Sequence, residues 1–63
     1  MADTSRIGQI VHISRGYTVA EIVEVPGGRL LGFSVFGYRS DTSKLYATKE
    51  QAIIELNALA DAG

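Results

Sequence analysis

One amphipathic helical pattern, in residues 46–60, limits what this chain of 63 residues can fold into. Thr48 and Gln51 have the spacing of a capping box, in which the Thr hydroxyl accepts from the Gln51 N–H and the Gln side chain returns to the Thr48 N–H. We therefore predict that the helix begins at Lys49. At roughly 100° per residue, one narrow face of this helix collects the apolar side chains of Ala52, Ile53, Leu56, Leu59 and Ala60. A stripe of this width is suited to packing on one face of a sheet.

The sequence before the helix is typical of strands and turns. Residues 7–14 predict a first strand, which a tight turn at Arg15-Gly16 joins to a central strand rich in β-branched side chains, residues 17–25. The turn signal at residues 26–29, Pro-Gly-Gly-Arg, separates this strand from a third one at residues 30–38. We predict an α+β fold in which an antiparallel β-meander of three or four strands is packed by one C-terminal helix.

The limits of this domain follow from the same patterns. Residues 1–6 are polar and aperiodic, so we predict a flexible N-terminal tail followed by a single domain over residues 7–63. Residues 44–47 are long enough for a short fourth strand, and Gly63 is the expected helix stop. Glycines at positions 32 and 37 interrupt the third strand, which is compatible with coiling of the sheet toward a small barrel.

Apolar side chains are predicted on both faces of the sheet. Strict alternation places Ile7, Val11 and Ile13 on one side of the first strand and Ile10 on the other. In the central strand the alternation fails at Glu21, which indicates either a bulge near that residue or a sheet covered on both faces. In the third strand, alternation places Leu31, Phe33 and Val35 on one face. It places Leu30, Phe36 and Tyr38 on the other.

One helix can cover only one face, so the second face is the predicted interaction surface. Ile54 and Ala58 also lie on the helix side opposite the apolar stripe. Left in water, these groups would form a larger apolar patch than most monomers carry. The candidate interface residues are Ile10, Ile22, Leu30, Phe36, Tyr38 and Ile54.

Composition narrows the class of protein. A domain of this length buries only about 60% of the surface that its unfolded chain exposes. Cys is absent and there is one His, so neither a disulfide nor a metal is expected to stabilise it. We therefore expect a homo-oligomer, namely a dimer, or a complex with another protein. Neither a signal peptide nor a membrane-spanning run is evident, and the lack of Cys fits a reducing compartment, so we expect a cytoplasmic protein that does not enter membranes.

No pattern in the sequence indicates catalysis. His12 has no partner set for general base or nucleophilic chemistry, and Gly27-Gly28 lacks the continuation that a phosphate-binding loop requires. Glu21 and Glu24 have opposite parity in their strand and so do not form an acid pair. We predict no enzyme, no cofactor, no metal and no small-molecule substrate. The leading hypothesis is a small protein-interaction or regulatory module, and a short chain of this kind suits a phage or mobile-element accessory protein by association.

Nucleic-acid binding is the alternative function. Arg15, Arg29, Arg39 and Lys44 are the candidate contacts, all in loops or at strand ends. The aromatic residues provide either a stacking platform for bases or, as we favour, core filling: Tyr17, Phe33, Phe36, Tyr38 and Tyr46. The net charge of −1 disfavours this alternative, because binding to a phosphate backbone normally requires a basic surplus.

Two local patterns resemble known families. Residues 46–52, after strands and a Gly turn, resemble the strand-to-helix junction in the small three-stranded DNA-binding domain of phage tyrosine recombinases, or phage integrases. This resemblance implies DNA binding by the sheet, although that family is basic along its strands and this chain has Glu21 and Glu24 there. Gly16-Tyr17, Pro26-Gly27 and the Thr48 capping box resemble the spacing in HicB-type antitoxin domains, with a longer gap before the helix. That resemblance implies an antitoxin; no residue role is carried over from either family.

Overall fold

The computed structural model describes residues 4–62, which form three strands and one helix. The elements are β1 (Thr4–Ser14), β2 (Tyr17–Val25), β3 (Leu30–Phe36) and α1 (Lys49–Ala62). The strands form one antiparallel sheet in the order β1-β2-β3. The predicted α+β fold, a β-meander followed by one helix, is confirmed.

The helix begins where the capping residues place it. The Gln51 backbone N–H donates to the Thr48 hydroxyl at 3.1 Å, as predicted. The Gln51 side chain, however, accepts from the Ala47 N–H at 3.1 Å, so the prediction that it would return to Thr48 is wrong by one residue. The helix continues to Ala62, and the stop expected at Gly63 lies outside the described residues.

Replacing Thr48 with Ala should lower the free energy of unfolding by about 1 kcal/mol, because the first turn of α1 loses a side-chain acceptor. Denaturant unfolding of the variant would measure this loss. Thr48→Ser is the matched control, since it retains the hydroxyl and should stay within about 0.5 kcal/mol of the parent. Equal stability of the Ala and Ser variants would contradict the capping role.

The core lies between α1 and the face of the sheet formed by β2 and β3. Ala52 and Leu56 on the helix are fully buried, and they meet Val19 of β2 and Val35 of β3. The predicted helical stripe is thus confirmed. Buried or partly buried around these four side chains are Val11, Tyr17, Phe33, Tyr46, Ile53, Leu59 and Ala60. We call this side of the sheet the helix-covered face and the other side the second face.

β1 is longer than predicted and is bulged twice. Residues 4–6, expected to belong to the tail, pair with Val25, Glu24 and Val23 of β2, while residues 1–3 lie outside the described part of the chain. The register shifts between Ile7 and Ile10 and again between Ile10 and His12. The sequence left open a bulge of β2 near Glu21 or a sheet covered on both faces. β2 itself runs regularly, and the bulge is on β1, opposite Glu21. The Glu21 carboxylate accepts from the Gln9 N–H at 3.5 Å beside this first bulge.

The bulges change which side chains share a face. Opposite the isoleucines at positions 7, 10 and 13 lie Ile22, Ala20 and Thr18, which are alternate residues of β2. All three isoleucines are therefore on the second face. The prediction that Ile10 lies opposite to Ile7 and Ile13 was wrong, because each bulge inserts one residue into the strand.

A third register shift corrects the faces predicted for β3. Gly32 pairs with Ile22 and Leu30 pairs with Val23, so Leu31 is the inserted residue. Leu30 consequently shares a face with Val23 on the helix-covered side, and Leu31 joins the second face. Within residues 4–62 the sheet is open, with three strands and no barrel closure.

The end of the third strand and the predicted fourth strand also differ from expectation. β3 ends at Phe36, so Tyr38 lies beyond it. The fourth strand is reduced to a single bridge, in which Tyr46 and Phe33 exchange backbone hydrogen bonds of 2.8 and 2.9 Å. A Cβ on Gly32 would lie 3.0 Å from the Tyr46 carbonyl oxygen, so this glycine permits the close backbone approach.

Candidate protein-interaction surface

Three isoleucine side chains form an exposed apolar row along β1 on the second face. The exposed fractions of Ile7, Ile10 and Ile13 are 52%, 58% and 67%. Scattered single apolar residues are normal on a protein surface, but these three lie on one face of one strand and follow its length. We call them the isoleucine row.

An open groove of about 300 Å³ adjoins the row. It lies between the first half of β1 and the segment that connects β3 to α1. Leu31 and Leu45 are 39% and 50% exposed in its walls. The other apolar lining residues are Ile7, Ile22 and Phe36. The groove therefore extends the apolar surface from the edge strand across the sheet.

The segment of residues 37–46 covers the rest of the second face. The Ser34 side chain is fully buried beneath it, with its hydroxyl 3.2 Å from the carbonyl oxygens of both Thr42 and Lys44. The hydroxyl hydrogen can be donated to one of these oxygens at a time. Ala20, beside Ser34 in the sheet, is 1% exposed. The chain thus covers the β3 side of the second face itself and leaves the β1 side open.

Replacing Ser34 with Ala should lower the free energy of unfolding by about 1 kcal/mol, because the covering segment loses the one hydroxyl donor that its Thr42 and Lys44 carbonyl groups share. Urea unfolding would measure the change. Ser40→Ala is the control: its hydroxyl donates to the Gly37 carbonyl at 3.1 Å in an exposed position, where a change of no more than about 0.5 kcal/mol is expected. Equal losses in the two variants would contradict anchoring through Ser34.

The covering segment is also held by a local turn at Asp41. The Asp41 carboxylate accepts from the Ser43 hydroxyl at 2.6 Å and from the Ser43 N–H at 3.0 Å. These two hydrogen bonds, with a smaller effect of the Lys44 charge, hold the pKa of Asp41 below its usual value. Burial, followed by the charges of Glu55 and Asp41, raises the pKa of Tyr46. Hydrogen bonding within the turn thus accounts for the lowered pKa of Asp41, and burial is the main cause of the raised pKa of Tyr46.

The structure brings together only part of the predicted interface. Ile10, Ile22 and Phe36 lie on the second face. Leu30 is on the helix-covered side of the sheet, and Tyr38, 91% exposed, is beyond the end of β3. Ile54 is 69% exposed on the outer side of α1, which is separated from the second face by the sheet. Sequence reasoning missed Ile7, Ile13, Leu31 and Leu45, because bulges and a loop placement decide their positions.

The basic candidates for nucleic-acid contact fall into separate places. Arg15 and Arg39 line an open cleft of about 320 Å³ together with Tyr17 and Tyr38. The Arg39 guanidinium lies 5.8 Å from the centre of the Tyr38 ring. Arg29 is at the other end of the sheet, 3.5 Å from the Glu24 carboxylate, and Lys44 is in the covering segment.

The charge of this cleft is partly balanced. Arg15 donates to the Asp61 carboxylate at 2.6 Å and to the Asn57 side chain at 3.3 Å. Arg39, the other arginine of the cleft, has its guanidinium group over the exposed ring of Tyr38. This arrangement of aromatic and guanidinium groups could accept an anion or a stacked base.

His12 makes a structural contact, with its Nε2 2.9 Å from the Ser14 hydroxyl. Within residues 4–62, no group of three or more His, Asp or Glu side chains is placed to hold a metal ion. The described part of the chain also has no helix with the length and apolarity needed to cross a bilayer.

Comparisons with protein-family models, with curated proteins and with solved structures find no match.

Proposed function

We propose that the chain is a non-enzymatic protein-interaction module that binds through the isoleucine row and the adjoining groove. The single observation that carries this proposal is the exposure of Ile7, Ile10 and Ile13 on one face of an edge strand. We also propose that the protein is cytoplasmic, because its lack of Cys fits a reducing compartment.

The energetics favour association through this surface. Full burial of an Ile side chain contributes roughly 1.5–3 kcal/mol relative to exposure in water. Each isoleucine of the row retains more than half of its exposure, so a partner that covered it would gain roughly 1 kcal/mol or more per side chain. Leu31 and Leu45 in the groove add to this gain.

The chemistry of the surface favours a protein over a nucleic acid. Between Ile7 and Ile13 the strand has no Lys, Arg, Asp or Glu, and Arg6 is the basic residue that borders the groove. Phosphate backbones are bound chiefly by Lys and Arg, whereas the centre of a protein interface is depleted of charge. The isoleucine row and the groove have the low charge that is typical of the centre of a protein interface.

A variant-dependent association experiment tests the proposal. The chain is expressed with an affinity tag in its native host, and the intact complexes that it forms are measured by native mass spectrometry. We expect a mass above the 6.8 kDa of the chain. The triple variant Ile7→Thr, Ile10→Thr, Ile13→Thr keeps β-branched residues in the strand and should lose the complex.

Ile54→Thr is the matched control, because it changes an isoleucine of similar exposure on the outer side of α1. It should retain the complex. Recovery of the parent chain from its host as a monomer without any partner, or a complex that survives the triple substitution, would contradict the proposed function.

The second candidate function is nucleic-acid binding at the cleft of Arg15, Arg39 and Tyr38. Its support is the placement of two guanidinium groups and an exposed ring in one cleft. Binding of a single-stranded oligonucleotide that weakens steeply with salt, and that is lost in Arg39→Ala but not in Arg29→Ala, would support it. No binding at low salt would exclude it.

A further inference from the structure

We propose that the partner of this surface is a second copy of the chain, which pairs its β1 antiparallel to the first β1 about a two-fold axis at Ile10. The inference rests on the proposed function, since it names the partner of the same isoleucine row. It follows from the symmetry of β1 about Ile10, which becomes visible only when the two bulges are taken into account.

The isoleucine row is symmetric about its central member. In an antiparallel pair centred on Ile10, each Ile10 faces its own copy, and Ile7 faces Ile13 of the second chain. The three isoleucines of each copy would thus all be opposite isoleucines, on one face. An isologous interface requires this self-complementarity, because the same patch must match itself after a two-fold rotation.

The backbone has the same symmetry. From Ile7 to Ile10, β1 advances three residues while β2 advances two, from Ile22 to Ala20. From Ile10 to Ile13 it again advances three residues against two of β2. One inserted residue therefore lies on each side of Ile10, and the bulged part of one copy would face the bulged part of the other. In this register the inserted residues of the two strands are opposite each other.

The remaining pairs in this register are compatible. Gly8 would face His12, Gln9 would face Val11, and Arg6 would face Ser14, so no like charges are directly opposed. Small or polar residues are thus paired with the larger side chains next to the isoleucines.

The edge of β1 is available for pairing. β1 is an outer strand of the sheet, and its eleven residues contain no Pro and one Arg. Exposed edges of natural sheets are usually protected by charges, by Pro, by bulges or by a covering segment, because their free backbone groups bind other strands. The protection that β1 has is its two bulges, and these would lie opposite the bulges of a second copy in the proposed register. With its two bulges, β1 spans the nine residues of β2, about 30 Å, which is most of the 39 Å length of the molecule. Pairing would join two three-stranded sheets into one of six strands, a common size.

Cysteine cross-linking tests the register, because the natural chain contains no Cys. In Ile10→Cys the two thiols would be on the two-fold axis. Residues directly opposite in an antiparallel pair have Cα atoms about 4.5–5.5 Å apart, which is within the range of a disulfide. We expect this variant to form a covalent dimer within minutes under mild oxidation, as seen on a non-reducing gel.

Two further variants make the test specific. Cys at position 13 would be opposite position 7 of the second copy and about 13 Å from its own counterpart, since Ile7 and Ile13 face β2 residues four positions apart. Ile13→Cys alone and Ile7→Cys alone should therefore cross-link at least tenfold more slowly than Ile10→Cys. An equimolar mixture of the two should form the mixed disulfide rapidly. Equal rates for all the single variants, or no cross-linking of Ile10→Cys, would overturn the proposed register.

Sedimentation equilibrium of the purified chain gives an independent measurement that needs no Cys. The parent and Ile54→Lys should sediment as dimers, and Ile10→Lys should sediment as a monomer, because it places two like charges opposite each other at the axis. A monomeric parent would overturn the inference of a second copy. If a monomeric parent still formed a complex in the host that the triple Thr variant lost, the proposed function would stand with a different protein as partner.

Discussion

Leu56→Ala should lower the free energy of unfolding by about 2–5 kcal/mol, the largest effect expected of a single side-chain truncation in this chain. Leu56 is fully buried at the centre of the core between α1 and the sheet. Its removal loses apolar burial and leaves a cavity that Val19 and Val35 can fill only in part. A 63-residue domain has a total stability of about 3–9 kcal/mol at usual values per residue. The variant should therefore be mostly unfolded, or melt at least about 10 °C lower.

Thermal unfolding followed by circular dichroism would measure this effect. Ile54→Ala is the matched control: it truncates an aliphatic side chain of the same helix that is 69% exposed, and it should change stability by no more than about 0.5 kcal/mol. Leu56→Met, which conserves volume, should cost less than about 1.5 kcal/mol. If Leu56→Ala unfolded at the same temperature as Ile54→Ala, the packing of α1 on the sheet would be wrong.

Gly37→Ala should lower the free energy of unfolding by about 1–3 kcal/mol, because the added methyl group has no room. A Cβ at this position would lie 2.7 Å from Cε2 and 3.0 Å from Cγ of the Tyr17 ring. Tyr17 is 7% exposed and belongs to the core cluster, so its ring cannot turn away without disturbing the packing of that cluster. Denaturant unfolding at equilibrium would measure the loss.

Gly27→Ala is the control for the glycine substitution itself. The nearest atom to a Cβ at position 27 is a carboxylate oxygen of Glu24 at 3.6 Å, an ordinary contact. The added methyl group should leave stability unchanged or raise it by up to about 1 kcal/mol through the unfolded state. In a Gly37→Ala, Tyr17→Leu double variant, part of the loss should be recovered, and a loss that was fully additive would contradict a clash with the ring.

The helix was the most predictable part of this chain, because local residues determine it. The Thr48 cap, the spacing of Ala52 and Leu56, and the exposed position of Ile54 all follow from a regular period of 3.6 residues. β2 was predicted with its bounds because it is regular and rich in β-branched residues. Where backbone geometry is regular, a period read from the sequence converts directly into a face.

The interaction surface was less predictable, because three inserted residues change the strand alternation. Alternation assigns a face by counting residues, and a bulge shifts the count by one for every residue that follows. Ile10 and Leu31 were misassigned for this reason. The signal that could have indicated the first bulge is the repeat of Ile at every third position of β1, which fits neither a regular strand nor a polar turn.

The covering segment was unpredictable for a different reason. Its path over the sheet depends on contacts between residues distant in sequence, such as Ser34 with Thr42 and Lys44. A polar loop composition indicates where the chain leaves a strand but not where it lies afterwards. The second face was consequently predicted to be wholly open, whereas the covering segment lies over its β3 side and leaves its β1 side exposed.

The two bulges in β1 make the number of residues in this strand as important as their identity. Removing Gln9 would leave Ile7 and Ile10 two residues apart on one face of a regular strand, and would delete the bulge on one side of Ile10 with no change in the apolar content of the chain. Such a deletion would change the shape of the β1 edge and remove the symmetry of its two bulges about Ile10. Among homologous chains, a shared surface would therefore be recognised by equal spacing between its isoleucines before any similarity of the residues between them.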